Sequence, residues 1–301
     1  MRALQANRYA PLTFAWRPDI SRDVMLLLGF GLGVAIAMGT FATPVDAVAY
    51  WLAGTSTNLY PADWAAVAPG YLFYPPPIAQ LSRLIQPIGW QVFIVLWMVL
   101  IFASFWYCTR RLSLVLVAIG IPYFLGIGPD APATFLSYAL LGNIQWPLAA
   151  ATVMAIDRPP LWAVLLVTKV STAIGWWWHV FRAEWRAAAL GALASLAVIA
   201  VSVLLGPDLW AQFIEFAVRN GNFANPPMPL FPVPFPVRIA TGLALILWGA
   251  RTNRRWTVPV ACGWALPALY GLGFLPFWIA ALRLIDRKDE PGAEASTDVD
   301  R

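Results

Sequence analysis

The chain has 301 residues, about 60% of them apolar, and carries only 20 Lys+Arg against 15 Asp+Glu. A soluble domain solvates its surface with about one charged residue in four, and here the charged share is 12%. An ordinary soluble enzyme, a disordered chain and a coiled coil are therefore excluded.

The apolar residues fall in blocks near the length that crosses a bilayer. In chain order these are Val24–Thr43, Ile88–Tyr107, Leu112–Gly128, Ala133–Ile156, Leu161–Phe181, Ala187–Gly206, Phe231–Ala250 and Trp256–Leu282. A lipid-exposed backbone must satisfy its own hydrogen bonds, so the blocks read as helices. The alternation of a membrane barrel strand is absent. The expected architecture is an all-α, polytopic transmembrane bundle of about 8–10 membrane helices. It forms a single domain over 1–286, and the polar stretch 287–301 reads as a disordered cytoplasmic tail. The first block follows four arginines and is too long for the core of a cleaved signal, so it reads as an uncleaved span.

One pass per block would put Arg182 and Arg186, then Arg251, Arg254 and Arg255, on the outer side. That violates the positive-inside tendency. The conflict disappears if Leu161–Phe181 is a broken hairpin with Lys169 at its apex, entering and leaving on one side. Trp256–Leu282 reads as a second hairpin, broken at Pro267 and Gly271. Sixteen of the 20 basic residues then lie inside, and Arg83, Lys169, Arg219 and Arg238 face out. Both termini are expected in the cytoplasm, in a multi-pass protein of the plasma membrane. The net charge of +5 reads as this topogenic bias, not as a nucleic-acid surface. Two outer segments, 44–87 and 207–236, are long and aromatic, as interfacial helices are.

Few residues can carry chemistry. Asp46 follows the first block by three residues, with Tyr50 one helical turn on. A partly desolvated carboxylate there can act as general base, or it can simply cap the next helix. Lys169 interrupts an apolar run. As an outward cation it suits an anionic phosphate, with a snorkelling or helix-capping lysine as the plainer alternative. Tyr71 and Tyr74, in the run that ends at Pro77, offer rings and hydroxyls for a sugar, or an aromatic belt. Asn143 and Gln145 are amides in a membrane block and need partners, either a polar ligand or another helix. His179 reads as interfacial, near the inner face. One histidine and two cysteines leave no metal site and no disulfide framework, and no cofactor is expected. There is no paired-carboxylate motif and no glycine-rich phosphate loop.

Taken in order, these pieces resemble the polyprenol-phosphate-mannose-dependent mannosyltransferases, glycosyltransferase family 87 of the GT-C superfamily. The resemblance rests on Asp46, Tyr50, Ala53 and Gly54; on Tyr60 and the Tyr74-Pro75-Pro76 element; on Gly142, Asn143 and Gln145; on Lys169 with Arg182, Trp185 and Arg186; and on Arg254, Arg255, Trp256 and Pro259. It spans roughly residues 20 to 285. Two departures stand out: the amides of the Gly-Gln-x-Asn element are exchanged, and the late His-containing motif is reduced to Pro267-Ala-Leu-Tyr270.

The resemblance implies transfer of a sugar, mannose on the family pattern, from a polyprenyl-phosphate donor to a lipid- or glycan-linked hydroxyl at the extracytoplasmic face. It implies inversion, Asp46 as base, Lys169 at the donor phosphate, and Tyr50, Tyr60, Tyr71, Tyr74, Asn143 and Gln145 at the sugar or acceptor. Arabinofuranosyl transfer and a non-catalytic lipid-binding or accessory membrane protein of the same fold stay open as alternatives.

Overall fold

The structure is a computed structural model that describes residues 19–56, 59–60, 74–110, 112–124, 135–219, 233–266 and 273–285. Every regular element among them is helical. Tyr71, the Pro267–Gly271 break and the expected tail lie outside the described residues. Among the described residues three helices are long and apolar enough to cross a membrane: α1 (Ile20–Ala37), α4 (Trp90–Thr109) and α10 (Trp185–Leu205). At 1.5 Å per residue each is about 27–32 Å long, which matches the hydrocarbon core.

Helices α1 and α4 meet along a glycine seam. An added Cβ at Gly33 would lie 2.7 Å from Val95 Cα, and one at Gly29 would lie 2.9 Å from the Met98 carbonyl oxygen. Small residues four apart allow such close backbone approach, and dispersion holds the seam together. Asp19 accepts from the Arg22 N–H and caps the start of α1. Trp106, near the far end of α4, donates to Ser21 at 3.1 Å, which fixes the pair as antiparallel.

Between these two helices the chain makes α2 (Val45–Leu52) and α3 (Pro76–Ile85). Pro76 and Pro77 occupy the first turn of α3, where a missing N–H costs nothing. After α4 comes α5 (Leu112–Phe124). The block read as one helix over Ala133–Ile156 is in fact two, α6 (Phe135–Leu140) and α7 (Gln145–Ala155). Gly142 separates them with φ +70°, a left-handed conformation that a helix interior does not hold.

The Leu161–Phe181 block is broken where the charge argument required it. Helix α8 (Trp162–Thr168) stops at Lys169, a 3₁₀ segment runs from Val170 to Trp176, and α9 (Trp177–Phe181) completes the return. Helices α11 (Pro207–Arg219), α12 (Phe235–Thr252), α13 (Thr257–Trp264) and α14 (Leu275–Ile285) follow α10. Helices α13 and α14 pack antiparallel: Trp278 donates to the Val260 carbonyl, and an added Cβ on Gly263 would meet Phe277 Cβ at 2.9 Å.

One end of the bundle gathers the arginines. Arg182 donates to the Ala250 carbonyl at 3.2 Å and to Asn253 at 3.0 Å. Arg255 pairs with Asp157, and Arg283 donates to the Tyr107 carbonyl while stacking on that ring at 3.7 Å. The loops on both sides of the Leu161–Phe181 block thus reach the same end, as a hairpin requires. The opposite end carries Asp46, Tyr50, Tyr60 and Tyr74.

Candidate functional site

The site is assembled by the turn between α6 and α7. An added Cβ on Gly142 would lie 2.7 Å from Ala47 Cβ and 3.2 Å from Ala47 N, so only glycine lets α2 approach this closely. The approach is sealed by main-chain and indole bonds. The Asp46 N–H donates to the Leu141 carbonyl at 3.1 Å, and Trp97 Nε1 donates to the Gly142 carbonyl at 2.8 Å.

Asp46 sits in the first turn of α2. It is not the cap: that position is Pro44, and no side chain caps the helix. Instead, Asp46 Oδ2 accepts from Asn143 Nδ2 at 2.9 Å. The carboxylate is partly exposed. Burial raises its pKa above the ordinary aspartate range, an effect offset in part by the Asn143 hydrogen bond and the positive charge of Lys169.

The Lys169 side chain comes to the same place from the hairpin apex. Its Nζ stands 5.6 Å from the centre of the Tyr74 ring. Lys169 also ends α8, but through its backbone, whose N–H donates to the Leu165 carbonyl. The lysine acts on Asp46 electrostatically, yet among the described residues no ion pair joins the two. The acid and the amine therefore lie within electrostatic reach of each other without pairing.

Tyrosines pack around the acid and the amine. The Tyr50 and Tyr74 hydroxyls are 3.1 Å apart, and the Ile144 N–H donates to the Tyr50 hydroxyl at 3.4 Å. Tyr50 also meets Trp97 edge-on at 5.4 Å. The Tyr60 hydroxyl donates to the Tyr74 carbonyl at 3.0 Å, and its ring packs on Phe213 and Phe216 of α11. Tyr60 therefore holds Tyr74 in place and ties the site to α11. Tyr138 of α6, which the sequence reading passed over, is buried and senses the Asp46 charge.

Of the two amides, Asn143 is committed at both ends, because its Oδ1 accepts from the Gln145 N–H at 3.0 Å. Gln145 is 5% exposed, and its Oε1 is buried without a hydrogen-bond partner. Asp46, Tyr50, Tyr74, Lys169 and Asn143 lie in one region, although they come from four separate stretches of chain.

A second polar cluster, at the arginine end, was not expected. His179 is 1% exposed, so it is buried within the protein. Its Nδ1 lies 2.9 Å from Glu184 Oε2, and Arg182 Nε donates to Glu184 Oε1 at 3.0 Å. Ala183 reaches φ +53° to fold these three side chains together. Burial alone would raise the Glu184 carboxyl, but the His179 and Arg182 hydrogen bonds outweigh it and hold the carboxyl down to about 2. Among the described residues no group of three or more His, Cys, Asp or Glu side chains is placed to hold a metal ion. No protein-family model, no curated protein and no solved structure matches this chain.

Proposed function

We propose that this chain is a membrane glycosyltransferase of GT-C type. It moves a sugar, mannose on the family pattern, from polyprenyl phosphate to a hydroxyl of a lipid- or glycan-linked acceptor. The reading is supported above all by one observation: a carboxylate of raised basicity lies within electrostatic reach of an amine without pairing to it, beside the paired hydroxyls of Tyr50 and Tyr74. A base and a counter-cation for a departing anion are the minimum such a transfer needs, because a phosphate monoester anion leaves without general-acid help.

In the proposed step the acceptor oxygen attacks the anomeric carbon while its proton passes to Asp46. The bond from that carbon to the phosphate oxygen breaks, and the electron pair leaves with the phosphate beside Lys169. Attack and departure occur on opposite faces of the sugar, so the configuration inverts. Tyr50 and Tyr74 present the hydroxyl pair that orients the ring. The arginine-rich end faces the cytoplasm in this reading, with both termini there, and the Asp46 end faces outward.

Asp46→Asn tests the proposal. With polyprenyl-phosphate mannose and a membrane extract as acceptor, the variant should accumulate normally and lose transfer by about a hundredfold or more. Transfer at the wild-type rate would remove Asp46 as base. Absence of transfer by the wild-type protein from mannose and pentose donors alike would favour a non-catalytic lipid-binding role.

A further inference from the structure

Asn143 was expected among the residues that touch sugar or acceptor. Its geometry gives it another task first. A carboxamide oxygen can accept two hydrogen bonds and its nitrogen can donate two, and here one of each is already used within the protein. Oδ1 accepts from the Gln145 N–H at 3.0 Å, which fixes the orientation of the amide, since an exchanged O and N would set two donors against each other. Nδ2 then necessarily points at Asp46 and donates to Oδ2 at 2.9 Å. The amide is anchored to the first turn of α7, and the turn that carries it is itself locked by the Trp97 and Asp46 main-chain bonds.

We propose that Asn143 is a positioning residue for the base: it immobilises Asp46 through Oδ2 and leaves Oδ1 as the oxygen that takes the acceptor proton. The inference rests on the reading of Asp46 as base and says which of its two oxygens works and what aims it. A carboxylate free to rotate about its last bond presents either oxygen in turn, whereas one tied through Oδ2 presents Oδ1 in a single direction. Pre-orientation of this kind is worth a large part of a catalytic barrier. The remaining groups that face the carboxylate are Lys169 from the hairpin apex, Tyr50 on the same helix, Tyr74 and Tyr138. None of them forms a hydrogen bond to Asp46, so the directional restraint falls to Asn143 among the described residues.

The test is the pH profile of sugar transfer in membranes from the full-length protein, for wild type, Asn143→Ala and Asn143→Asp. Loss of a hydrogen bond to a charged group should lower the rate about tenfold at neutral pH. The loss should be larger at acidic pH and narrow as pH rises, because Asp46 without its donor is the stronger base and is protonated over a wider acidic range. Asn143→Asp keeps an acceptor for the Gln145 N–H, and so the start of α7, but sets a second carboxylate against Asp46. Its acidic limb should move the same way and further. Profiles with the wild-type shape, whether scaled down or unchanged, would overturn the positioning role and leave Asn143 as a helix cap. Normal transfer by Asp46→Asn would instead overturn the base itself, so the two failures are distinguishable.

Discussion

The glycine seam between α1 and α4 gives a prediction with a control built into the same helix. Replacing Gly33 by Ala puts a methyl 2.7 Å from Val95 Cα and 3.3 Å from its carbonyl oxygen. Carbon atoms are content at about 3.5–4.0 Å, so the backbones must separate by roughly 1 Å. The contact is backbone, with no flexible side chain to yield. Overpacking of this kind costs about 1–3 kcal/mol. Gly31 lies between the seam glycines on the exposed side of α1, and an added Cβ there meets nothing within 4 Å. Both substitutions gain the same helix propensity, about 1 kcal/mol, so that gain cancels when the two variants are compared. Thermal unfolding of the purified protein in detergent should therefore place Gly31→Ala at or above wild type. Gly33→Ala should melt lower than Gly31→Ala by several degrees, taking roughly 2–4 °C per kcal/mol at this size. If Gly33→Ala melts as high as Gly31→Ala, α1 and α4 do not meet at this seam, and the placement of α2 that follows from it is wrong.

Two further outcomes follow from the charged groups. Lys169→Ala should raise the donor KM or lower kcat by roughly tenfold or more, with Lys169→Arg recovering part of the loss; steady-state transfer with varied polyprenyl-phosphate sugar decides it, and unchanged constants would remove the lysine from the donor site. At the arginine end, the Glu184 carboxyl is held down to about 2 against an ordinary value of 4.5. Its contribution to stability is therefore complete above about 4.5 and is lost as pH falls towards 2. Melting curves between pH 6 and pH 3 should show a fall that Glu184→Gln makes shallower, and equal slopes for the two proteins would refute the linkage.

The hairpin at Lys169 was legible because it satisfies two independent constraints, a lone cation in an apolar run and arginines on both flanks that belong on one side. The start of α3 was legible from prolines that can only stand in a first turn. What escaped was pairing. Asp46 and Asn143 are each conspicuous in the sequence, but 97 positions separate them, and nothing local says that one is the other's partner. The break at Gly142 was hidden for the opposite reason: the residues around it are apolar enough to extend the block, and its left-handed φ is demanded by the neighbouring α2 rather than by its own segment. His179 and Glu184 are only five residues apart, yet their contact depends on Ala183 adopting a positive φ, which alanine gives no cause to expect.

The bond from Trp97 to the Gly142 carbonyl also sets a depth. Helix α4 begins at Trp90, so Trp97 is seven residues in, and at 1.5 Å per residue the turn at Gly142 is sunk about 10 Å beneath that helix end. On the proposed reading, transfer then takes place below the headgroup plane, where bulk water is scarce and hydrolysis of the donor competes poorly with the intended hydroxyl. An acceptor carried on a lipid can slide in sideways at that level, while a soluble glycan would have to reach downward. The distance between the attacking hydroxyl and its membrane anchor thereby becomes a ruler by which acceptors are chosen.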